Sequence, residues 1–351
     1  RSINLLPEDI KSIKDMEKIP VLTKDIVREN FEDLKPINLE KINYLNRSTG
    51  GSTGVPFQYR MDRDERFFMA AMMYRGWGYG GYELADRTIF FGGSSLGISL
   101  KSNLIKRLNE GTRNIRMISS FDMDELNLQY YVKTINKFKP KFLYGYASSL
   151  NFLSSYIKKH DLVIHHPLSI FSTAEKLYFP MRKNIEDVFH AAVFDAYGLN
   201  DGGVSAYECD SHNGLHIDTE RGLMEIVDED LYQIDEGYGS ILATSLQNQS
   251  MPFIRYDTGD LGAICADECS CGRKYRLLKE VIGRTQDILK TPEGKYVHGE
   301  FFTHIFWEIS GVIEFQVRQV TEKTIKIELV LGNNFDPNQL DVIQRYVHSK
   351  S

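Results

Sequence analysis

Strand-like and helical patterns alternate along the chain as far as Ala196. Short apolar runs predict strands, and apolar positions three or four residues apart predict helices. Strands are expected at residues 87–91, 115–119, 141–144, 168–172 and 192–196, and helices at 62–77, 124–138, 148–159 and 176–189. This alternation indicates a mostly parallel sheet covered by helices.

The pattern changes from Gly214 onward, where short strands follow one another with turns between them. They are expected at residues 216–218, 223–227, 240–244, 253–256 and 261–265, followed by a linker at 283–287 and a hairpin at 311–320 and 323–331. Antiparallel pairs and a small β-barrel-like part fit this spacing. We therefore predict an α/β fold with a large N-terminal domain over residues 1–283, then a hinge and a truncated small α+β C-terminal domain over 284–351.

Composition narrows the class of protein. A chain of 351 residues can bury a large core and form two domains. Its net charge of −6 argues against a general binder of nucleic acid or anionic membranes. No apolar run approaches the roughly 20 residues that span a bilayer, and no signal peptide is visible, although the chain starts at Arg1. Four cysteines fit a reducing cytoplasm, and the oligomeric state, including a homodimer, stays open.

One stretch concentrates small and hydroxyl residues between two extended segments, at positions 47–56. Glycine allows tight turns, and closely spaced N–H and O–H donors form a cradle for phosphate. The candidate donors are Gly50, Gly51, Ser52, Thr53 and Gly54. The alternative is a flexible connector rich in glycine and serine.

Three later motifs follow this loop in a fixed order. They are Phe194-Asp195-Ala196-Tyr197-Gly198-Leu199-Asn200-Asp201, Ile254-Arg255-Tyr256-Asp257-Thr258-Gly259-Asp260 and Ile282-Gly283-Arg284-Thr285-Gln286-Asp287. Together with the loop, they resemble the motifs of the adenylate-forming superfamily. The similarity is greatest to its phenylacetate–CoA ligase-like branch, and within it to homologues of the capsular-polysaccharide biosynthesis type. The resemblance extends over nearly the whole chain.

The resemblance implies an acid ligase. Such an enzyme uses ATP and Mg²⁺ to convert a carboxylic acid, here of an aryl type, into an acyl-adenylate with release of pyrophosphate. The acyl group then passes to CoA or another acceptor. The alternative is a degenerate homologue that binds a nucleotide or an acyl compound without turnover.

The resemblance also assigns roles to residues. The nucleotide would be held by the loop together with Ala174, Glu175, Asp195, Tyr197, Gly198 and Asp260. The candidate catalytic residues are Asp201, which stands where the family usually has a magnesium-binding Glu, Arg284 before the hinge, and Asp287 at the hinge. Tyr144 and Tyr146 match the segment that lines the acyl pocket, although core packing explains them equally well.

The C-terminal region departs from the family. The small domain usually ends with a Gly-Lys motif whose lysine contacts the carboxylate and the α-phosphate. No such motif follows the expected hairpin, and Gly294-Lys295 comes too early. Either the chain is a piece of a longer protein or the protein works without that lysine.

Cysteine and histidine positions suggest a metal site. Cys269 and Cys271 are separated by one residue, and Cys209 precedes two histidines. With His216 they would form a structural Cys3His zinc site, with His212 as the alternative ligand. Free thiols in a turn are the other interpretation. Some phenylacetate ligase-like enzymes carry a similar set, which favours His216.

Overall fold

The computed structural model describes residues 5–49, 57–92, 110–119, 123, 125–284, 288–290, 296–298, 309, 311–321, 323–332, 335–337 and 339–340. The chain divides into two compact units: residues 1–258 with 262–281, and residues 259–261 with 282–351. The boundary expected after residue 283 stays a prediction. Among the described helices, none combines the length and the apolar character needed to cross a bilayer.

The helices whose bounds are described lie in the first unit. They are α1 (Lys24–Glu29), α2 (Glu65–Tyr79), α3 (Glu125–Phe138), α4 (Ala147–Lys159) and α5 (Phe179–Phe189), with short 3-10 helices at Pro7–Asp9, Ile13–Lys18 and Leu39–Lys41. The Thr23 hydroxyl caps α1 by accepting a hydrogen bond from the Ile26 amide at 3.3 Å. The hydroxyl thus satisfies one of the amide groups that the first turn of a helix leaves without a partner.

The first nine strands include every strand of the parallel sheet. They are β1 (Tyr44–Thr49), β2 (Phe57–Asp62), β3 (Thr88–Gly92), β4 (Ile115–Ser119), β5 (Phe142–Tyr146), β6 (Ser169–Thr173), β7 (Ala192–Phe194), β8 (Ala196–Leu199) and β9 (Val204–Glu208). The remaining strands are β10 (Leu215–Ile217), β11 (Gly222–Val227), β12 (Gly237–Ser245), β13 (Tyr256–Cys265), β14 (Leu277–Arg284), β15 (Ile288–Lys290), β16 (Tyr296–His298), β17 (Val312–Thr321) and β18 (Thr324–Leu331).

Five strands form the parallel sheet in the order β4-β3-β5-β6-β7. Side chains alternate between its two faces. Ile89 and Phe91 of β3 pack into the cluster that includes α3, α4 and α5. Phe90, the residue between them, joins the cluster around Trp77 of α2. Helices therefore cover both faces, which confirms the α/β architecture that the alternating pattern predicts.

A seven-stranded sheet follows, in the order β11-β12-β13-β14-β10-β9-β8. Its antiparallel pairing begins at Ala196, before the change of pattern expected at Gly214. Gly222 of β11 lies against the residue before β9, since a Cβ atom at Gly222 would be 2.4 Å from the Gly203 carbonyl oxygen. The edge strand β11 therefore comes back toward β9, and the sheet is curled. This curled sheet corresponds to the predicted barrel-like part.

The β1–β2 hairpin carries the end of the small-residue loop. Thr49 pairs with Phe57, and Arg47 pairs with Tyr59. Phe57, Tyr59 and Met61 of β2 are buried in the core of the first unit. The hairpin thus holds residues 49 and 57 as neighbours, and residues 50–56 lie outside the described part of the chain.

The N-terminal segment is bound to the chain near residue 255. Leu22 forms a parallel bridge with Tyr256, in which its N–H donates to the Arg255 carbonyl and its carbonyl accepts from Asp257, both at 2.9 Å. An Arg255 guanidinium nitrogen donates to the Ile19 carbonyl at 2.9 Å, across 236 residues of chain. The segment therefore completes the first unit through long-range contacts.

Arg255 also forms a buried ion pair. Its Nε lies 3.2 Å from Glu225 Oε1, and the two side chains are 2% and 0% exposed. Arg255, which lies in the second of the ordered sequence motifs, therefore has a structural role in the core of the first unit. Its partner is on β11, about thirty residues earlier in the chain, a proximity that only the tertiary fold creates.

The second unit contains two hairpins among its described residues. Strand β15 pairs with β16, and β17 pairs antiparallel with β18. Apolar side chains of β17 and β18 pack with Ile309, Leu289 and Phe335. The hairpin that the sequence predicts at 311–320 and 323–331 is confirmed.

Candidate functional site

The carboxyl ends of three parallel strands bring several predicted site residues to one edge of the sheet. Tyr146 ends β5, Thr173 ends β6, and Asp195 follows β7. Tyr146 and Thr173 are register partners, as are Phe171 and Phe194. Ligands of open α/β sheets bind at this edge. Ala174, Glu175, Asp195, Tyr197 and Gly198 therefore lie on or beside one candidate binding surface.

Asp195 occupies the turn between β7 and β8. The Ser172 hydroxyl donates a hydrogen bond to its Oδ1 at 2.6 Å. Burial raises the pKa of Asp195 to about 7, and the Ser172 bond opposes this shift only in part. A carboxyl group that titrates near neutrality at a strand end is a feature of functional sites.

Glu208 at the end of β9 holds this turn from the other side. Its Oε2 accepts a hydrogen bond from the Asp195 amide at 2.7 Å, and Arg182 donates to both of its carboxylate oxygens at 3.0 and 2.8 Å. Burial alone would raise the Glu208 pKa, but His212 and Arg182 outweigh it, so the pKa lies below its usual range. The sequence interpretation missed both Glu208 and Arg182. The only signal was a charged residue at the end of a buried strand.

The segment after β6 has an unusual backbone. Ala174 has φ +66°, a left-handed conformation that favours glycine. Glu175 Oε2 accepts a hydrogen bond from the Ser148 amide at 2.9 Å, in the first turn of α4. The helix expected at 176–189 begins only at Phe179, because Thr173 ends β6 and residues 174–178 form a loop of their own.

The two predicted pocket tyrosines have different environments. Tyr144 is buried, with ring centroids 4.8 Å from Trp77 and 5.2 Å from Phe90. Burial raises its pKa to about 12, partly offset by a hydrogen bond with Thr173. Tyr146 is half-buried at the strand end. The structure thus gives Tyr144 a core position, and contact of either residue with a substrate stays a prediction.

Asp201 is buried in the turn after β8. Its Oδ2 accepts a hydrogen bond from the Tyr256 hydroxyl at 2.8 Å, and 5% of the residue is exposed. A buried carboxylate is a ligand type that Mg²⁺ uses. The predicted role of Asp201 at magnesium stays a prediction.

Asp260 and Arg284 form an ion pair within the second unit. Arg284 Nε lies 3.0 Å from Asp260 Oδ1, and the side chains are 47% and 8% exposed. The structure therefore brings together the residues predicted to bind ribose and to precede the hinge. Asp287 and the loop residues Gly50, Gly51, Ser52, Thr53 and Gly54 lie outside the described residues.

Four cysteine and histidine side chains form a separate cluster. The ligand atoms of Cys209, His216, Cys269 and Cys271 all lie within 4.8 Å of one another. Cys209 Sγ is 3.6 Å from Cys269 Sγ, and Cys271 Sγ is 3.4 Å from His216 Nε2. Zn–S bonds of about 2.3 Å and Zn–N bonds of about 2.0 Å in a tetrahedron place ligand atoms about 3.5–3.8 Å apart. The cluster therefore has the dimensions of a zinc site.

The ionisation of two cluster residues suits a metal, whereas burial raises the pKa of the Cys209 thiol to about 12. Burial lowers the pKa of His216, which favours the neutral ring that binds metals. Burial opposes ionisation of Cys271, but hydrogen bonds, including those with Arg273, outweigh it and lower the thiol pKa. His212, the alternative ligand, instead has Nδ1 3.3 Å from Glu208 Oε1. The fourth cysteine, Cys265, is not a member of the cluster.

The chain is similar in sequence to proteins of known families. Residues 289–351 match the CapK C-terminal domain model. The chain is 28% identical to protein CapK of Staphylococcus aureus over 333 residues, covering 94% of this chain and 72% of CapK. It is 24% identical to the phenylacetate-coenzyme A ligase of Thermus thermophilus over 309 residues, covering 81% of this chain and 64% of the ligase.

A solved structure shows the same fold. The 2-hydroxyisobutyryl-CoA ligase in its postadenylation state superposes with a TM-score of 0.72 at 18% identity, covering 98% of this chain and 76% of that chain. The chain spans less than two thirds of the phenylacetate-coenzyme A ligase it matches. The homologues of this chain are thus CapK and the phenylacetate-coenzyme A ligases, and its fold is that of the acyl-CoA ligases of the adenylate-forming superfamily.

Proposed function

We propose that this chain activates a carboxylic acid with ATP, forming an acyl-adenylate, and then transfers the acyl group to coenzyme A or another acceptor. The observation that carries this proposal is the grouping of Ala174, Glu175, Asp195 and Tyr197 at the carboxyl edge of the parallel sheet. Homology to phenylacetate-coenzyme A ligases supports it. So does the shared fold with a ligase solved with an acyl-adenylate.

The proposed reaction has two steps. A carboxylate oxygen of the acid attacks the α-phosphorus of ATP, and the bond from that phosphorus to the pyrophosphate oxygen breaks. In the second step the thiol sulfur of coenzyme A attacks the acyl carbon. AMP leaves with the electrons of the acyl C–O bond, and the thiol proton passes to solvent.

Roles in nucleotide binding are proposed for individual residues. The Tyr197 ring would stack on adenine, while Asp195 and the backbone at Ala174, Glu175 and Gly198 would bind its polar edge. Asp260 would accept hydrogen bonds from the ribose hydroxyls, a bidentate interaction that suits an ionised carboxylate. Arg284, its ion-pair partner, would contact ribose or phosphate.

Phosphate binding is proposed for the small-residue loop and Asp201. The backbone and hydroxyl donors of residues 50–54 would hold the pyrophosphate portion of ATP. Asp201 would bind Mg²⁺, which neutralises charge that develops on the transferring phosphate. The Tyr256 hydroxyl already orients the Asp201 carboxylate toward one rotamer.

We also propose that Cys209, His216, Cys269 and Cys271 bind one structural zinc ion. Their spacing and the low His216 pKa support this. With four protein ligands no coordination position is left for a catalytic water. Cys209 follows β9 and His216 lies on β10, so zinc would join this part of the chain to the loop between β13 and β14, which carries Cys269 and Cys271.

The direct test is acid-dependent exchange between ATP and labelled pyrophosphate. A panel of aryl and short-chain acids would be compared with a reaction that contains no acid. Exchange with one class of acid is the expected result, and it would name the substrate class. Nucleotide binding without exchange for any acid would contradict catalysis and support a non-catalytic binding protein.

A substitution at Asp260 tests the nucleotide site separately. Replacing Asp260 with Ala removes charge-assisted hydrogen bonds worth about 1.5–3 kcal/mol, so AMP affinity should fall about 10- to 100-fold. Asp257→Ala, three residues earlier on β13, is the matched control and should change affinity less than about threefold. Isothermal titration calorimetry with AMP measures both. Equal affinity of Asp260→Ala and wild type would contradict the assignment of Asp260.

A further inference from the structure

We propose that Glu208 is a positioning residue through which zinc bound at the cysteine–histidine cluster increases nucleotide affinity. This inference rests on the proposed function and adds a means of regulation to it. Glu208 is the last residue of β9, and Cys209, a member of the cluster, follows it directly. The same side chain holds the turn that carries Asp195 and leads to Tyr197.

Glu208 forms hydrogen bonds with both the N–H and the carbonyl of Asp195. The Asp195 N–H donates to Glu208 Oε2 at 2.7 Å, and the Asp195 carbonyl accepts from the Glu208 N–H at 3.0 Å. The Glu208 residue is 5% exposed, so these bonds are protected from competing water. The position of the nucleotide-binding turn therefore depends directly on where Glu208 lies.

Arg182 fixes the Glu208 carboxylate in this orientation. Its Nη2 donates to both carboxylate oxygens, at 3.0 and 2.8 Å, and its Nη1 donates to the Val193 carbonyl on β7. Charge-assisted bonds to both oxygens, from a guanidinium that is itself held at Val193, restrict rotation of the Glu208 carboxylate. A shift of the β9 end would thus be transmitted to the turn instead of being absorbed by rotation of the side chain.

On the other side, metal binding would fix the β9 end. Cys209 is buried, and its sulfur lies 3.6 Å from Cys269, which is on a different loop. A zinc ion bound to both would tie the two loops together through strong bonds, whereas unligated thiols interact only weakly. One peptide bond separates Cys209 from Glu208, so tying Cys209 also restricts Glu208.

Coupling between two sites is reciprocal for binding. If zinc increases AMP affinity, AMP must increase zinc affinity by the same factor. Couplings of this kind commonly amount to about 5- to 150-fold. Because only one residue links the sites, we expect a factor near the lower end, about 5- to 30-fold.

The experiment measures AMP affinity by calorimetry on the whole chain, with zinc bound and after removal of zinc by a chelator. Zinc affinity, with and without saturating AMP, is measured by competition with a chromophoric chelator. In wild type, zinc should increase AMP affinity about 5- to 30-fold, and AMP should increase zinc affinity by the same factor. Glu208→Gln keeps the shape and one acceptor oxygen, and it should retain part of the coupling. Glu208→Ala should lose it, so that AMP affinity no longer depends on zinc.

Glu186→Gln is the matched control. Glu186 also lies near Arg182, at 3.9 Å, but its carboxylate accepts from the Val193 amide and not from Asp195. It should leave the coupling unchanged. If Glu208 had a purely structural role, its variants would bind both AMP and zinc more weakly, but the coupling factor between the two ligands would stay the same.

Two results would overturn the inference and are distinguishable from each other. Wild-type protein that binds AMP equally with and without zinc would refute the coupling while leaving the proposed function in place. Wild-type protein that binds zinc but no AMP would remove the proposed function and the inference with it.

Discussion

At the scale of single residues, Asp195 combines a half-buried position with a pKa near neutrality. Its pKa rises from 3.8 to about 7 in the folded protein, mainly through burial. The folded state therefore holds a proton between about pH 4 and 7 that the unfolded state has lost. By linkage, the contribution of Asp195 to the unfolding free energy is full below about pH 4 and is lost as the pH rises to about 7.

Substitution of Asp195 with Asn should remove that dependence, because an amide does not titrate and can still accept from Ser172. The difference in unfolding free energy between wild type and Asp195→Asn should decrease as the pH rises from 4.5 to 7.5. Urea unfolding at several pH values measures this difference. Asp187→Asn, on the exposed side of α5, is the control for replacing a carboxylate with an amide. A difference between wild type and Asp195→Asn that does not change with pH would refute the shifted pKa.

The buried pair of Glu225 and Arg255 has a structural consequence. Removing one partner of a buried ion pair leaves an uncompensated charge and costs about 3–5 kcal/mol of unfolding free energy. Glu225→Gln should therefore destabilise the chain by that amount in urea unfolding. The control Glu236→Gln removes an exposed carboxylate and should change stability by less than about 0.5 kcal/mol. Similar stabilities for the two variants would refute the structural role assigned to the pair.

Individual motif residues could be located from the sequence, but their partners could not. Asp195 and Tyr197 were found because they belong to an ordered motif. Arg182 was not, because its partners Glu208 and Val193 lie on other strands and no local pattern links them. Side-chain pairs across elements depend on the tertiary fold.

At the scale of elements, helix α2 illustrates why an apolar pattern can mislead. The spacing of Phe67, Ala70, Ala71, Tyr74 and Trp77 predicts one buried helix face, yet Phe67 is 68% exposed. The buried positions of α2 are Glu65, Gly76 and Trp77. Gly76 faces the Tyr207 ring of β9, and a residue without a side chain gives no hydrophobic signal.

Two glycines of α2 provide a matched pair of substitutions. A Cβ atom at Gly76 would lie 2.2 Å from the Tyr207 ring, whereas one at Gly78 would meet nothing within 4 Å. Gly76→Ala should lower the unfolding free energy by about 1–3 kcal/mol through overpacking. Gly78→Ala should raise it by about 0.5–1 kcal/mol, because alanine favours the helix. Urea unfolding of both variants measures the effects, and equal effects would refute the packing of α2 against β9.

Most strands and helices were predicted to within a few residues, since buried strands and amphipathic helices carry strong periodic signals. The start of the antiparallel region was placed too late. Strand β8 has only four residues, and three of them are half-buried, so it shows neither alternation nor an apolar run. Its role as a strand depends on pairing with β9.

At the scale of the whole molecule, the metal cluster should contribute to stability. Cys269→Ser should reduce zinc from one ion per chain to a small fraction of that, measured by elemental analysis. The loss of a tightly bound ligand corresponds to about 4 kcal/mol, so the melting temperature should fall by about 5–15 °C. Cys265→Ser, which alters a cysteine outside the cluster, should retain both zinc and melting temperature. Full zinc content in Cys269→Ser would contradict the assignment of this ligand.

The fold class of the whole chain was accessible from the sequence, because strand–helix alternation has few topological solutions. The members of the cysteine–histidine cluster were accessible from residue type, although only the fold shows that His216 rather than His212 approaches the three sulfurs. The identity of the acid was not accessible, since its pocket depends on side chains whose orientations the sequence does not encode locally. The exchange assay with a panel of acids addresses that question.

The bond between the N-terminal segment and residue 255 has a consequence for synthesis of the protein. Ribosomes add about 5–20 residues per second. Ile19 and Arg255 are 236 residues apart, so the segment waits about 10–50 seconds for its partner to be made. During that time the backbone groups of Leu22 lack the bonds they have in the finished unit. The segment therefore reaches its native contacts well after it has been made, and a chaperone that binds extended segments would find it available.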